Sequence, residues 1–433
     1  MTTSSLQRPI GFKPSEISAL INEEVVEQHA EEAAFQWTSR DRAVLAPHYS
    51  LNDLAGLDER VEANLDGLQV AGQIGWELCE KALGLEAPGE VFAAGVLAFE
   101  SGDKGRIQKV LDTGSTTLEL QRPLISALGW PSFDQVENVI RDLLLSEHPG
   151  IRRVGIGAYA IHRRDPGPAL LQALSDMDTP LRARALKAAG ELGRVDLLPA
   201  ILQSISEPDD NCRFFAVWSA ARLGERTAPV VAVLQKITET PGQYAEQALG
   251  MALRCMELPQ AKAWRQRLRG NSQQLRLAAI GAGVIGDPDV VGDLIALVEI
   301  ETVARVAGEA FSMITGVDLS YEDLDKDAPE GPQGGPTEEP EDEDVALDPD
   351  ENLPWPAPEL VKNWWEKNRG KFRSGIRYLC GKEIGTESLK DVLAKGNQRQ
   401  RAAAALELAV REPKQPLFEV RAPGKRQLKI LKT

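Results

Sequence analysis

One step of 31 residues limits what this chain can fold into more than any other feature. From Gly193 it lands on His162, Gly193, Gly224, Cys255 and Gly286. Four positions before these markers stand Ala158, Ala189, Ala220, Met251 and Ala282. Seven before stand Gly155, Leu186, Val217, Ala248 and Ala279, and one before stand Ile161, Leu192, Leu223, Arg254 and Ile285. Small or apolar residues at those offsets share one face of an α-helix. A glycine just beyond suits the left-handed residue that closes a helix. After a short polar or proline-containing turn, a second apolar stripe follows each marker. Examples are Leu170, Leu171 and Leu174; Leu197, Leu198, Ile201 and Leu202; and Val290, Val291, Leu294, Ile295 and Val298. Each unit is thus a helical hairpin too small to bury its own apolar face, so neighbours must stack. The pattern continues weakly upstream through Leu128-Gly129-Trp130 and Val91 to Phe99, and downstream to Val306, Ala310 and Met313. It predicts an all-α fold, an α-solenoid of helical hairpins over 88–320. Residues 1–87 read as an N-terminal helical cap, with helices at Ser15–Trp37 and Leu51–Leu83 and Ser15 as N-cap.

Charge divides the chain further. The formal net charge is −16, from 49 Lys+Arg and 65 Asp+Glu. Between Glu322 and Glu351 stand 14 acids and one base, Lys326, among five prolines and three glycines. Like-charge repulsion and helix-breaking residues predict a disordered linker over 321–353. Residues 354–433 carry 18 bases against 8 acids, a basic and partly helical segment. Within it Pro354–Pro358 reads as extended and Glu359–Asn368 as a short helix. Thr386–Ala394 and Gln398–Val410 read as one more hairpin, and Leu417–Gln427 has no helical pattern. Trp364 and Trp365 are adjacent and cannot both face one core cleanly, so one is expected in the packing and one at an interface. The body, 1–321, retains 30 bases and 43 acids. That balance opposes nucleic-acid and anionic-membrane binding, which need a cationic field. No apolar run is long enough to span a bilayer. Without an apolar stretch near Met1, the expected compartment is the cytoplasm.

No constellation of catalytic residues emerges. Gly281-Ala282-Gly283-Val284-Ile285-Gly286 copies a dinucleotide fingerprint, but its glycines fall inside a repeat helix rather than after a strand. Close helix packing and a helix cap explain them, and no cofactor is expected. Asp323-Leu324-Asp325-Lys326-Asp327 begins like a calcium loop, yet Ala328 and Gly334 stand where the sharp-turn glycine and bidentate glutamate belong, so no metal is expected. Cys79, Cys212 and Cys255 lie on apolar helical stripes, where buried inert thiols are the rule. Arginines recur near the start of the repeats' first helices: Arg152, Arg182, Arg184, Arg213 and Arg276. They read either as a ladder bonding loop carboxylates and carbonyls, or as a cationic stripe for an acidic partner. The acidic run is expected to fold back transiently onto the basic tail or this stripe, masking a site.

The unit Thr179-Pro180-Leu181-Arg182-Ala183-Arg184-Ala185-Leu186-Lys187-Ala188-Ala189-Gly190-Glu191-Leu192-Gly193 resembles the HEAT-like repeat, also found in proteins related to phycobilin lyases. HEAT-like repeats build deoxyhypusine hydroxylase as well, but its recurring His-Glu pairs are missing here: His29, His48, His148 and His162 are followed by Ala, Tyr, Pro and Arg. Longer strings resemble a bacterial HEAT-like-repeat family encoded near type VI secretion genes. They are Leu57–Leu68, Gly72–Trp76, Gly89-Glu90-Val91-Phe92, Gln398–Ala404 and Pro416–Pro423. The resemblance implies a non-enzymatic protein-binding scaffold, an adaptor or chaperone for a secretion effector or spike-tip protein, and brings no catalytic residues. An immunity protein neutralising a cognate toxin and an enzyme of unrecognised chemistry are the competing readings. The residues expected to meet a protein partner are Arg152, Arg182, Arg184, Arg213, Arg276, Trp364 and Trp365.

Overall fold

The computed structural model describes residues 22–329 and 348–432. Ser15 and most of the acidic run therefore lie outside the described residues. Within them the regular structure is helical, apart from two two-stranded ribbons and one isolated bridge. No described helix is long and apolar enough to cross a membrane.

The chain divides into two compact units, one from the described parts of Met1–Ser39 and Leu57–Val139, the other from Arg40–Gly56 and Ile140–Thr433. In the first unit the helix Pro88–Ser101 is buried on nearly every side, as a helix apolar all round must be. Phe92 on it stacks on Trp37 at 4.7 Å and meets the edge of Trp130 at 5.3 Å. Asp103 and Thr117 cap the following helices, accepting from the backbone N–H groups of Arg106 and Leu120, which satisfies donors with no partner inside the helix.

The second unit contains the repeat array. First helices run over Pro149–Ile161, Thr179–Leu192, Asp210–Arg222, Ala245–Cys255, Leu275–Ile285 and Glu301–Thr315, each packed against the next. Shorter or outer helices such as Leu198–Leu202, Ala228–Glu239 and Val291–Val298 return the chain between them. The small residues allow this close stacking. Ser219 Oγ donates to the Leu186 carbonyl of the neighbouring helix at 2.7 Å. A Cβ on Gly190 would lie 2.3 Å from that same oxygen. Asp178 and Asp209 cap successive helices by accepting from Leu181 and Cys212 N–H.

Three glycines, Gly193, Gly286 and Gly316, close their helices at φ 73°, 70° and 75°. Gly224 takes φ 101° one residue beyond its cap, Leu223. Two markers differ. His162 stays right-handed while Arg163 takes the left-handed turn at φ 55°, and after Cys255 the chain turns extended at Met256.

Beyond the array, β1 (Asp325–Lys326) pairs antiparallel with β2 (Trp355–Pro356), bringing the two sides of the acidic run together. A helix at Pro358–Asn368 and a ribbon of β3 (Tyr378–Leu379) and β4 (Lys382–Glu383) follow. The hairpin read from the sequence forms as Thr386–Lys395 and Gln398–Arg411. The stretch read as lacking helical pattern holds the start of a helix, Gly424–Leu431. Pro423 presets its entry, and Gln427 is drawn inside, donating to the Ala422 and Val420 carbonyls while accepting from Arg401. Tertiary partners, rather than periodicity, make that turn helical.

Candidate functional site

The array in the second unit has two edges, one at each end of its first helices, and they carry different chemistry. At the C-terminal ends, four carbonyls per helix lack partners inside the helix and the dipole is negative. The chain's own C-terminal region supplies what this edge needs. Tyr378 N–H donates to Gly286 O at 2.8 Å, Cys380 N–H to Met313 O at 2.7 Å, and Arg377 to Ile285 O and Val284 O. Glu407 sits between Arg254 at 2.9 Å and Arg377 at 2.6 Å. Arg226 donates to Val410 O, and the fully buried Arg222 to the Pro413 and Gln415 carbonyls. Leu417 N–H reaches Glu191 O, and Arg163 binds Leu417 O and the Glu419 carboxylate. Finally Arg421 meets Asp41 at 2.9 Å, and Arg40 donates to Ala422 O. The residues visited descend from Met313 to Glu191 and Arg163, so the strap runs against the repeat order.

The strap also bears on three of the glycines that close these helices. A Cβ on Gly193 would lie 2.7 Å from Lys414 O, one on Gly286 2.4 Å from Tyr378 O, and one on Gly316 2.6 Å from Cys380. Each position needs glycine for its left-handed turn and again for the passing backbone.

The opposite edge is made by the loops that enter the first helices, and it carries most of the arginines singled out from sequence. Arg152 donates to Ser146 O and Glu147 O and pairs with Asp176 of the following loop at 2.8 Å. Arg182 donates to Asp176 O at 2.5 Å and pairs with Glu207 at 2.8 Å. Arg213 donates to Glu207 O and Pro208 O and pairs with Asp210. These guanidinia clasp their own loop, and the first two reach the next. Tyr244 stands at the next step, stacked on Phe214 at 4.1 Å with its hydroxyl on Asn211. A cavity of about 480 Å³ opens there between the loops, lined by Ile205, Pro208, Val233, Ile237, Pro241 and Tyr244. On the same row of loops, Met177 is 93% exposed.

Arg276 resumes the row, holding Glu246 at 2.7 Å and both oxygens of Asp350. Burial alone would lower its pKa, but the hydrogen bonds to Asp350 and Glu246 outweigh it and raise it. Arg305 follows, a rung not singled out from the sequence although it lies about one repeat beyond. It binds Asp348 at 2.5 Å and Asp350 O at 2.8 Å.

Arg184 leaves the row and pairs with Glu191 at 2.9 Å, behind the strap. There burial pushes the Glu191 carboxyl up, but Arg184, Lys187 and Arg163 overcome it and hold it at about 2. Trp364 and Trp365 both lean on Phe311, with ring centroids at 5.6 and 6.4 Å, and Trp365 also meets Phe372. Adjacent helical positions point about 100° apart, and Phe311 fills the angle between them.

Gly281 and Gly283 lie inside the helix Leu275–Ile285, packed on Leu253 and Ala310. Burial pushes the thiols of Cys79, Cys212 and Cys380 up to about 12 and that of Cys255 to about 11. Among the described residues no group of three or more His, Cys, Asp and Glu is placed to hold a metal ion.

Residues 167–254 match the family model of HEAT repeats. No curated protein matches the chain. The hairpins of this stretch, with their stacked first helices and glycine-closed turns, are HEAT-like repeats in an all-α solenoid.

Proposed function

We propose that this chain is a non-enzymatic scaffold that binds another protein along the loop edge of its array. The observation that carries the reading is the strap. One edge is already bonded to the chain's own residues 377–422, while the loop edge keeps an exposed Met177 and the cavity beside Tyr244 open. HEAT-like repeats commonly act as protein-interaction scaffolds, and stacked hairpins offer the long continuous surface such binding uses. Within that role we place it in the cytoplasm as an adaptor or chaperone for a type VI secretion effector or spike-tip protein. This finer reading is supported by the sequence resemblance at both ends of the chain.

The test is affinity capture of the tagged full-length chain from a secreting strain, in parallel with a Met177→Asp variant. Recovery of an effector or spike-tip protein by the unsubstituted chain, reduced by the substitution, is the expected result. Recovery of no secretion component would overturn the adaptor role. A gene deletion that kills only cells carrying a neighbouring toxin would establish the immunity role in its place.

A further inference from the structure

The arginine row changes partners at its far end. Arg152 and Arg182 take the carboxylates of neighbouring repeat loops. Arg276 and Arg305 occupy the corresponding place at the start of their helices, but their forks receive a segment from beyond the array, Asp348-Pro349-Asp350. Arg276 grips Asp350 with both terminal nitrogens. Arg305 takes the Asp348 carboxylate at 2.5 Å and the Asp350 carbonyl at 2.8 Å. Arg399, from the C-terminal hairpin, donates to Pro349 O at 2.7 Å. Three guanidinia thus hold two carboxylates and two main-chain carbonyls of three successive residues. The bend is set by Asp350 N–H donating to Asp348 Oδ1 at 2.9 Å. Arg305 also lies over the Trp355 ring, 4.7 Å from its centroid.

We propose that Arg276, Arg305 and Arg399 form a binding site for an acidic Asp-x-Asp segment of a partner protein, and that this chain fills the site with its own residues 348–350. The proposal rests on the scaffold reading and names the chemistry of one contact the scaffold makes. Charge complementarity selects the occupant. Among the described residues, the carboxylates paired with these three guanidinia besides the two aspartates are Glu246 and Glu309, and bidentate guanidinium–carboxylate pairing favours a carboxylate over a neutral group. The middle residue contributes only its carbonyl, so its side chain is free to vary. Beside Arg399 a cavity of about 430 Å³, bordered by Met313, Leu353 and Pro354, gives room for residues flanking the acidic pair. The resident segment is tethered close by: β2 begins at Trp355, and Ala357 N–H donates to Leu324 O at 2.8 Å. A tethered occupant competes at high effective concentration, so an external segment sees only the fraction of molecules whose site is open.

The experiment measures fluorescence anisotropy of a labelled nonapeptide copying residues 345–353, titrated with the purified full-length chain and with an Asp348→Asn/Asp350→Asn variant. The variant should bind at least about tenfold more tightly, because the competing occupant is weakened. Adding Arg305→Gln should abolish that binding, and so should replacing both aspartates of the peptide by asparagine. Equal affinity of the two proteins, or binding that survives Arg305→Gln, would overturn the proposal. So would a folded variant that binds no peptide, which would make 348–350 a structural staple only. If circular dichroism shows the double variant unfolded, Asp348→Asn alone, which leaves the Arg276 fork intact, decides by the same readout. The peptide titration needs no partner, so its failure is separate from failure to capture one.

Discussion

The backbone N–H of Leu417 donates to the carbonyl of Glu191 at 2.8 Å, and that bond brings the end of the chain onto the end of a repeat helix. Tyr378 and Cys380 repeat the relationship at Gly286 O and Met313 O, so the strap is part of the array's own hydrogen bonding. A carbonyl left bare under it would lose both water and partner, at a cost of about 1–3 kcal/mol each.

Gly193 is where turn and strap meet. Gly193→Ala should destabilise the chain by about 2 kcal/mol or more, because it adds a Cβ at φ 73° and 2.7 Å from Lys414 O. Gly292→Ala is the control. Nothing lies within 4 Å of its added Cβ, so alanine should be neutral or add up to about 1 kcal/mol through helix propensity. Urea unfolding of the two variants checks both signs.

Arg222 is buried and donates to two strap carbonyls. Arg222→Met fills similar volume without donors, leaving those carbonyls unpaired. The expected loss is about 2–4 kcal/mol. Limited proteolysis should show cleavage near 412–418 before cleavage within the repeats. Simultaneous cleavage of both would show that the strap and array open as one unit.

The repeat array was legible in the sequence because its signal is local. Ala189 and Leu186 report one helix face, and Gly193 reports the turn that ends it. The strap was not, because its bonds join residues such as Arg222 and Gln415, 193 apart, or Arg163 and Leu417, 254 apart. No period relates such pairs. The arginine row was half legible: its spacing marked Arg152, Arg182, Arg213 and Arg276, while Arg305 stands 29 residues beyond Arg276, two short of the 31-residue step. Arg184 shares the composition but lies on another face of the helix, and its partner Glu191 is a property of packing. In the sequence Asp348 and Asp350 are two of many acids in a run expected to fold back onto the basic tail or the arginine stripe. Charge density does not tell which carboxylates meet a guanidinium.

The Glu191 cluster predicts an acid limb in stability. Its carboxyl is held at about 2 in the folded chain against an ordinary 4.5. A depressed folded value means stability is fully present above about pH 4.5 and is lost as pH falls toward 2, up to about 3 kcal/mol. Glu191→Gln removes the titrating group, so its unfolding free energy should fall less steeply over that window. An unchanged slope would mean the carboxyl is not held by Arg184, Lys187 and Arg163.

The thiols predict a second pH response of opposite character. Burial is the leading cause of all four upward shifts, and it disfavours the thiolate that reacts. Native protein at pH 7–8 should therefore react with a disulfide reagent far more slowly than a free thiol, and full reaction of all four cysteines should require denaturant. Cys255 and Cys380 are only partly covered, so they test whether pKa or access governs the rate. If the shifted pKa governs, their native rate should climb tenfold per pH unit well past pH 9. A plateau near pH 9 would mean that ordinary thiols are reacting at a rate set by access alone.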